Sequence, residues 1–357
     1  MCGIVGYIGQ REAAPILIEG LRRLEYRGYD SAGLAVVSRN RQVGIRRDVG
    51  KLSNLEAVLR ELPLQGHIGI GHTRWATHGK PALHNAHPHV DGTGTLVCIH
   101  NGILENYASL RQQLLSQGHT FASETDTEVI PHLVQQQLST GVGLVEATRQ
   151  MLLQLEGAHG IVLLSAREPD KLIAARLGNA GGVTVGLGDG EMFIASDLPA
   201  ILEHTRRVVF LESREMAVVT AEGATYYSVD DGRLLRKSPT HIPWDPVSAA
   251  KGEYRHFMQK EIHEQARSLT DTIRGRVDLA TGEVSLSHLP WSPETLQRFR
   301  RAVIVACGTS AYAALVGKFY LEGLAHLPTE VDYSSEFRYR NPLLDKETLV
   351  VSITQSG

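Results

Sequence analysis

Between residue 2 and about residue 235, short runs of β-forming residues follow one another too closely for a mainly helical protein. They read "CGIVGYI", "AGLAVVS", "HIGIGHTRWA", "TLVCIHNGI", "GIVLLSA", "KLIAARL", "MFIAS", "RVVFL", "MAVVT" and "ATYYSV". Many are bounded by Gly, Asp or Pro, the residues of tight turns, which favours antiparallel sheets over a regular strand-helix-strand alternation. Helices are expected at Glu12 to Leu24, Leu52 to Leu62, Tyr107 to Gln117, Thr127 to Leu138 and Leu144 to Leu155, where apolar residues recur three or four apart. Asn106 stands as the N-cap of the third.

The pattern changes at "RKSPTHIPWDPVSAAKGEYRHF", where prolines and polar residues replace the strands. This stretch reads as a linker between two domains. Beyond it, Ile262, Ala266, Leu269 and Ile273 share one helical face, and "LPWSP" breaks the chain again. "RAVIVACGTSAYAALVGKFYLEGL" is then a strand apolar on both faces, a small-residue turn and a helix, which is the signature of a parallel sheet covered by helices. A further strand, "TLVVSI", leads into "TQSG".

At 357 residues either half is long enough to bury a core, and the formal net charge of -3 makes nucleic acid a poor partner. The start lacks a basic segment leading into a long apolar run, and no stretch offers the ~18 apolar residues of a membrane span. A cytoplasmic location without membrane partners is therefore expected. The three cysteines, Cys2, Cys98 and Cys307, lie far apart and suggest neither a disulfide framework nor a zinc site. Cys98, inside "TLVCI", reads as a small core residue.

Cys2 has two readings. It is an apolar residue opening a strand, or, once Met1 is removed, a nucleophile whose own α-amine serves as base, since that amine titrates near pH ~8. Small second residues permit such removal. Arg74, at the end of a β run, is either a surface strand arginine or a fork able to grip a carboxylate with two hydrogen bonds. "HNG" at 100–102 is a plain Asn-Gly turn, or a side-chain amide beside a glycine N–H, able together to hold an oxyanion. Asp126, in "SETDTE", either caps a helix with Ser123 and Thr125 or pairs with a substrate ammonium. The histidines at 72, 78, 84, 87, 89 and 100 crowd one stretch, but without paired cysteines or an HExxH helix they do not point to a metal.

"MCGIVGYIG", "LRRLEYRGYDSAGLAVV", "GHTRWATHG", "NAHPH", "HNGILEN", "SETDTEVI", "YRHFMQKEI" and "ACGTS" together resemble the glutamine:fructose-6-phosphate aminotransferase (isomerizing), or glucosamine-6-phosphate synthase, family along the whole chain. "CGIVG" alone would indicate only an amidotransferase with an N-terminal nucleophile, such as amidophosphoribosyltransferase, and no acidic pyrophosphate loop of that enzyme is found. The resemblance implies an α+β fold. An αββα glutaminase sandwich over residues 2–240 would be followed by a linker, 241–255, and by an incomplete α/β sugar-isomerase (SIS) domain with a parallel sheet, 256–357.

It also implies roles. Cys2 is the nucleophile, with Asn101 and Gly102 as the oxyanion hole. Arg74, Thr77, His78, Gly102 and Asp126 bind glutamine, Trp75 is the gate between two sites, and Arg27 and His87 lie near the glutaminase pocket. Thr309, Ser310, Thr354, Gln355 and Ser356 bind the sugar phosphate, where the family's Ser-Gln-Ser-Gly reads "TQSG" here, and Cys307 is buried beside that loop. No metal or organic cofactor is implied. The substrates are glutamine and fructose 6-phosphate, and full-length members form homo-oligomers through the sugar domains. Family members continue past Gly357 to the sugar-ring-opening histidine, the isomerising glutamate and the Schiff-base lysine. The 357 residues are thus expected to hydrolyse glutamine without making the aminosugar. A glutaminase-only fragment is the alternative.

Overall fold

The structure is a computed structural model describing residues 2–75, 79–178, 181–243, 254, 256–273, 276–278, 281, 282, 284 and 292–354. The chain divides into two compact units, Met1–Gly252 and Glu253–Gly357. Among the described residues no helix is long and apolar enough to cross a membrane.

In chain order the strands of the first unit are β1 (Gly3–Ile8), β2 (Ser31–Val37), β3 (Val43–Val49), β4 (Ile68–Arg74), β5 (His89–Val90), β6 (Leu96–Gly102), β7 (His159–Ser165) and β8 (Leu172–Leu177). They continue with β9 (Thr184–Leu187), β10 (Met192–Ala195), β11 (Arg207–Phe210), β12 (Glu215–Val219), β13 (Ala224–Ser228), β14 (Leu234–Leu235) and β15 (Thr240–His241). The helices are α1 (Ala13–Leu24), α2 (Leu52–Glu61), α3 (Tyr107–Ser116), α4 (Val129–Ser139) and α5 (Leu144–Leu152). One sheet runs β15-β11-β9-β10-β1-β4-β2-β3, the other β14-β13-β12-β8-β7-β6-β5, and the strand pairs within both are antiparallel.

The alternation of strand side chains stacks these elements in four layers. Along β1, Ile4 and Ile8 face a core shared with Val97, Ile99, Val162 and Ala174 of the opposite sheet. Val5 and Tyr7 point the other way and pack on Leu17 and Leu21 of α1 and Leu55 of α2. On the far side Cys98, Leu163 and Ile173 meet Leu114, Leu133, Ala147 and Met151 of α3 to α5. Each fully buried leucine contributes about 2 kcal/mol of transfer free energy, and helix stripes with i, i+4 spacing such as Leu17 and Leu21 deliver it. The order helix, sheet, sheet, helix is the αββα sandwich.

Asn106 does not cap α3 through its side chain. Its Nδ2 donates to Gln154 O at 2.9 Å and its Oδ1 accepts from Glu156 N at 3.2 Å, so tertiary partners have taken the groups a cap would need. The first unit's sheet runs on through Thr240 and His241, which pair with Val208 and Arg207, and Ile242 is buried in its core.

In the second unit, α6 (Phe257–Ile273) leaves Ile262 and Leu269 exposed. Then come α7 (Pro293–Leu296), β16 (Arg301–Ala306), α8 (Thr309–Ala325), β17 (Thr329–Tyr333), α9 (Ser334–Tyr339) and β18 (Thr348–Ile353). The three strands form a parallel sheet in the order β17-β16-β18. Cys307 is exposed rather than buried, because β16 ends at the buried Ala306 and the next residue steps out of the sheet.

Candidate active site

β1 and β4 run antiparallel, with Gly3 opposite Thr73 and Gly3 N–H donating to Thr73 Oγ1 at 3.2 Å. That register carries Cys2 to the end of β4. There the Trp75 backbone N–H donates to Cys2 Sγ at 3.1 Å. Burial pushes the Cys2 thiol above its ordinary value, while the Trp75 N–H and the Arg74 charge act in the opposite direction. The net rise keeps the thiol protonated at neutral pH, so attack by sulfur needs a base within reach. Gly28 allows the approach of this segment, since a Cβ there would lie 2.7 Å from Arg74 C and 2.8 Å from Trp75 N.

Arg74 is buried and donates through Nη2 to Gly79 O at 3.0 Å. Burial pulls its guanidinium below the ordinary arginine value, and Cys2, Asp126 and Asp30 draw it back up. A buried cation near a thiol and a carboxylate suits a ligand carrying both a carboxylate and an ammonium. Trp75 is half exposed, with its ring 5.6 Å edge-on from that of Tyr29.

β6 delivers the amide. Asn101 Nδ2 donates to Cys2 O at 3.0 Å. Asn101 and Gly102 are not a hairpin turn but the last residues of β6, paired with Gly160 and His159. Gly102 has φ +136°, and a Cβ on it would sit 2.2 Å from Ala158 O.

Asp126 opens a short 3-10 turn, Asp126–Glu128, whose N-cap residue, Thr125, makes no side-chain capping bond. Asp126 Oδ2 accepts from Leu104 N at 2.8 Å, two residues past Gly102. The described residues thus bring Cys2, Arg74, Trp75, Asn101, Gly102 and Asp126 into one neighbourhood, while Thr77 and His78 lie outside them.

Arg27 and His87 occupy supporting positions. Arg27 is paired with Asp197, and His87 Nε2 lies 3.0 Å from Thr127 Oγ1, next to Asp126. Burial pushes His87 and His100 well below the usual histidine value, and His72 and His89 to about 3. These rings are neutral and packed, and among the described residues no group of three His, Cys, Asp or Glu could hold a metal.

Glu128 escaped the sequence reading. Burial acts to raise its carboxyl, but bonds from His132, Ser123 and the N–H groups of Ala122 and Ser123 hold it at about 2. It clamps the segment leading into Asp126. The i, i+4 pair Glu128 and His132 was the available signal, and it reads equally as an ordinary helix pair.

In the second unit, Thr309 and Ser310 form the first turn of α8, after Gly308 at φ +59°. Ala306 pairs with Ile353, so this turn and Thr354 both follow the C-terminal ends of adjacent parallel strands. β17 and β18 flank β16 on opposite sides, which makes the β16–β18 crevice a topological switch point, the place where such sheets take ligands. Gln355 and Ser356 lie outside the described residues.

Residues 72–203 match the glutamine amidotransferase domain family and residues 295–357 the SIS domain family. The chain is 50% identical over all its length to a glutamine–fructose-6-phosphate aminotransferase (isomerizing) of Symbiobacterium thermophilum, covering 58% of that protein. It is 47% identical, with the same coverage, to the Clostridium tetani protein of that name. The chain is similar to these aminotransferases along its whole length.

It spans a little over half the length of those relatives. The fold extends further: a glutamine phosphoribosylpyrophosphate amidotransferase from B. subtilis superposes with a TM-score of 0.59 at 21% identity. That match covers 92% of this chain and 65% of the other. A structure described as the allosteric regulatory enzyme of purine biosynthesis gives 0.60 at 22% over the same shares. At such identity the likeness concerns the fold alone.

Proposed function

We propose that the chain serves the glutamine-dependent synthesis of glucosamine 6-phosphate from fructose 6-phosphate, and that its first unit carries out the glutaminase half-reaction. The observation that carries this reading is the Cys2 thiol held by the Trp75 N–H, with Arg74, Asp126 and the Asn101 amide about it. Removal of Met1 would free the Cys2 α-amine. That amine takes the thiol proton as sulfur attacks the glutamine side-chain carbonyl, and Asn101 Nδ2 with the Gly102 N–H stabilises the resulting oxyanion. Arg74 binds the α-carboxylate of glutamine and Asp126 its ammonium. The protonated amine passes its proton to the leaving nitrogen, ammonia departs, and a γ-glutamyl thioester remains. Water then cleaves the thioester to glutamate and restores the thiol.

In the whole protein ammonia passes to the sugar site with Trp75 as the gate, and the Thr309–Ser310 turn with Thr354 holds the sugar phosphate by backbone N–H groups and hydroxyls. Thr77, His78, Gln355 and Ser356 belong to these sites on the family resemblance. No cofactor enters the scheme.

The test is the intact mass of the purified chain before and after 6-diazo-5-oxo-norleucine, with peptide mapping. Loss of the methionine mass and one adduct on Cys2 is expected. A processed chain that takes no label, or a label elsewhere, overturns the reading.

A further inference from the structure

We propose that His72, a buried residue of β4, sets which way the Asn101 carboxamide faces and is the positioning residue for the oxyanion donor. This rests on the glutaminase reading above.

Hydrogen-bond accounting fixes the arrangement. Cys2 O is a carbonyl and only accepts, so the Asn101 atom 3.0 Å from it is the NH2 group. The amide oxygen therefore points the other way, and it lies 3.0 Å from His72 Nε2. His100 O lies 3.1 Å from the same nitrogen. Both oxygens are acceptors, so His72 Nε2 carries a hydrogen and shares it between them. His72 Nδ1 is a buried atom without a hydrogen-bond partner among the described residues, as an unprotonated nitrogen of a neutral ring would be. Burial holds His72 neutral, with a pKa of about 3.

The neighbouring histidines are ordered in the same way, each with its hydrogen on Nε2. Glu156 O accepts from His159 Nε2 at 3.0 Å, so His159 Nδ1 accepts from His100 Nε2 at 3.0 Å. His100 Nδ1 then accepts the Thr127 hydroxyl at 2.9 Å, and Thr127 Oγ1 accepts from His87 Nε2 at 3.0 Å. The relay has one polarity throughout. His87 packs against His72 with ring centres 4.0 Å apart and planes tilted by 30°, which leaves the His72 ring little room to turn.

Without the His72 N–H, only the Cys2 O contact holds the Asn101 amide, which then rotates out of place and leaves the oxyanion without its Nδ2 donor. Glutamine, held by Arg74 and Asp126, would still bind. The loss therefore falls on kcat.

The experiment measures glutamine hydrolysis by the full chain for wild type, H72F, H72Q, N101A and the doubles H72F/N101A and H72Q/N101A. H72F should lower kcat about 100-fold, the scale of one lost oxyanion donor, with little change in KM. H72Q, whose amide N–H reaches toward the Nε2 position, should restore most of that. In the N101A background neither change should matter further. Multiplicative effects, a KM change at constant kcat, or H72Q as impaired as H72F would overturn the proposal. Should H72F not fold, 15N NMR of wild-type imidazoles decides, since a proton on His72 Nδ1 also overturns it. A wild-type chain that neither hydrolyses glutamine nor takes label on Cys2 would defeat the glutaminase reading instead, and the NMR tautomer would still decide the His72 role.

Discussion

At the residue scale, Gly102 shows how backbone geometry removes one of two readings that the sequence leaves open. "HNG" fits a hairpin turn, but the residue ends a strand at φ +136° with Ala158 O where a Cβ would stand. No side chain can be added there without moving β6, the strand that carries Asn101. Gly102→Ala should therefore destabilise the first unit by about 2–4 kcal/mol, combining backbone strain and a backbone clash. Gly94, at φ +71° with nothing within 4 Å, provides the contrast. Gly94→Ala pays only the left-handed penalty, about 1 kcal/mol. Urea unfolding of the two variants checks this, and equal losses would mean that the contact with Ala158 is not felt. The cysteines divide in the same way. Cys98 in its apolar run is legible as core, whereas the exposure of Cys307 depends on where β16 ends, which the run "AVIVAC" does not mark.

At the scale of elements, the strands with alternating or continuous apolar residues could be read directly, and those with a different logic could not. β3, "VGIRRDV", is half-buried throughout and pairs on one side only, with β2. An edge strand tolerates Arg46, Arg47 and Asp48, and those charges conceal it. The histidines were legible as a crowd but not as a seam, because β4, β5, β6 and β7 bring them together only in the folded sheets. That seam makes stability depend on pH. In the unfolded chain imidazoles take up protons as pH falls through about 6.5, whereas folded His72 and His89 stay neutral down to about 3. Between those values the unfolded state binds more protons, so stability falls as pH falls. From pH 7 to pH 5 each of these two histidines should cost about 2 kcal/mol. Urea midpoints measured across that range for wild type and His89→Gln test this. The variant's dependence should be shallower by one histidine, and identical slopes would show that His89 does not contribute.

At the scale of the whole molecule, the two units differ in how much they bury. The first has an apolar core between its sheets and another beneath each helical layer, and its site hangs on strands β1, β4 and β6 within that framework. In the second, the small core of Ile304, Ala306, Ala311 and Ala314 lies under α8, while Tyr312, Phe319 and Leu324 of that helix and Val350 and Val351 of β18 are exposed. The groups described around Cys2, namely the Trp75 N–H, Arg74, Asn101 and Asp126, are all contributed by the first unit. A chain ending at residue 243 keeps Ile242 in its core and β15 on its sheet. It should therefore lose Met1 and alkylate Cys2 with 6-diazo-5-oxo-norleucine at the rate of the 357-residue chain. Matched rates would place the reactivity of Cys2 wholly in the sandwich, where the register of β1 against β4 sets its position. A rate that collapses in the shorter chain, with circular dichroism showing the sandwich intact, would mean that residues beyond 243 help to form the site, and that the sheet register alone does not activate Cys2.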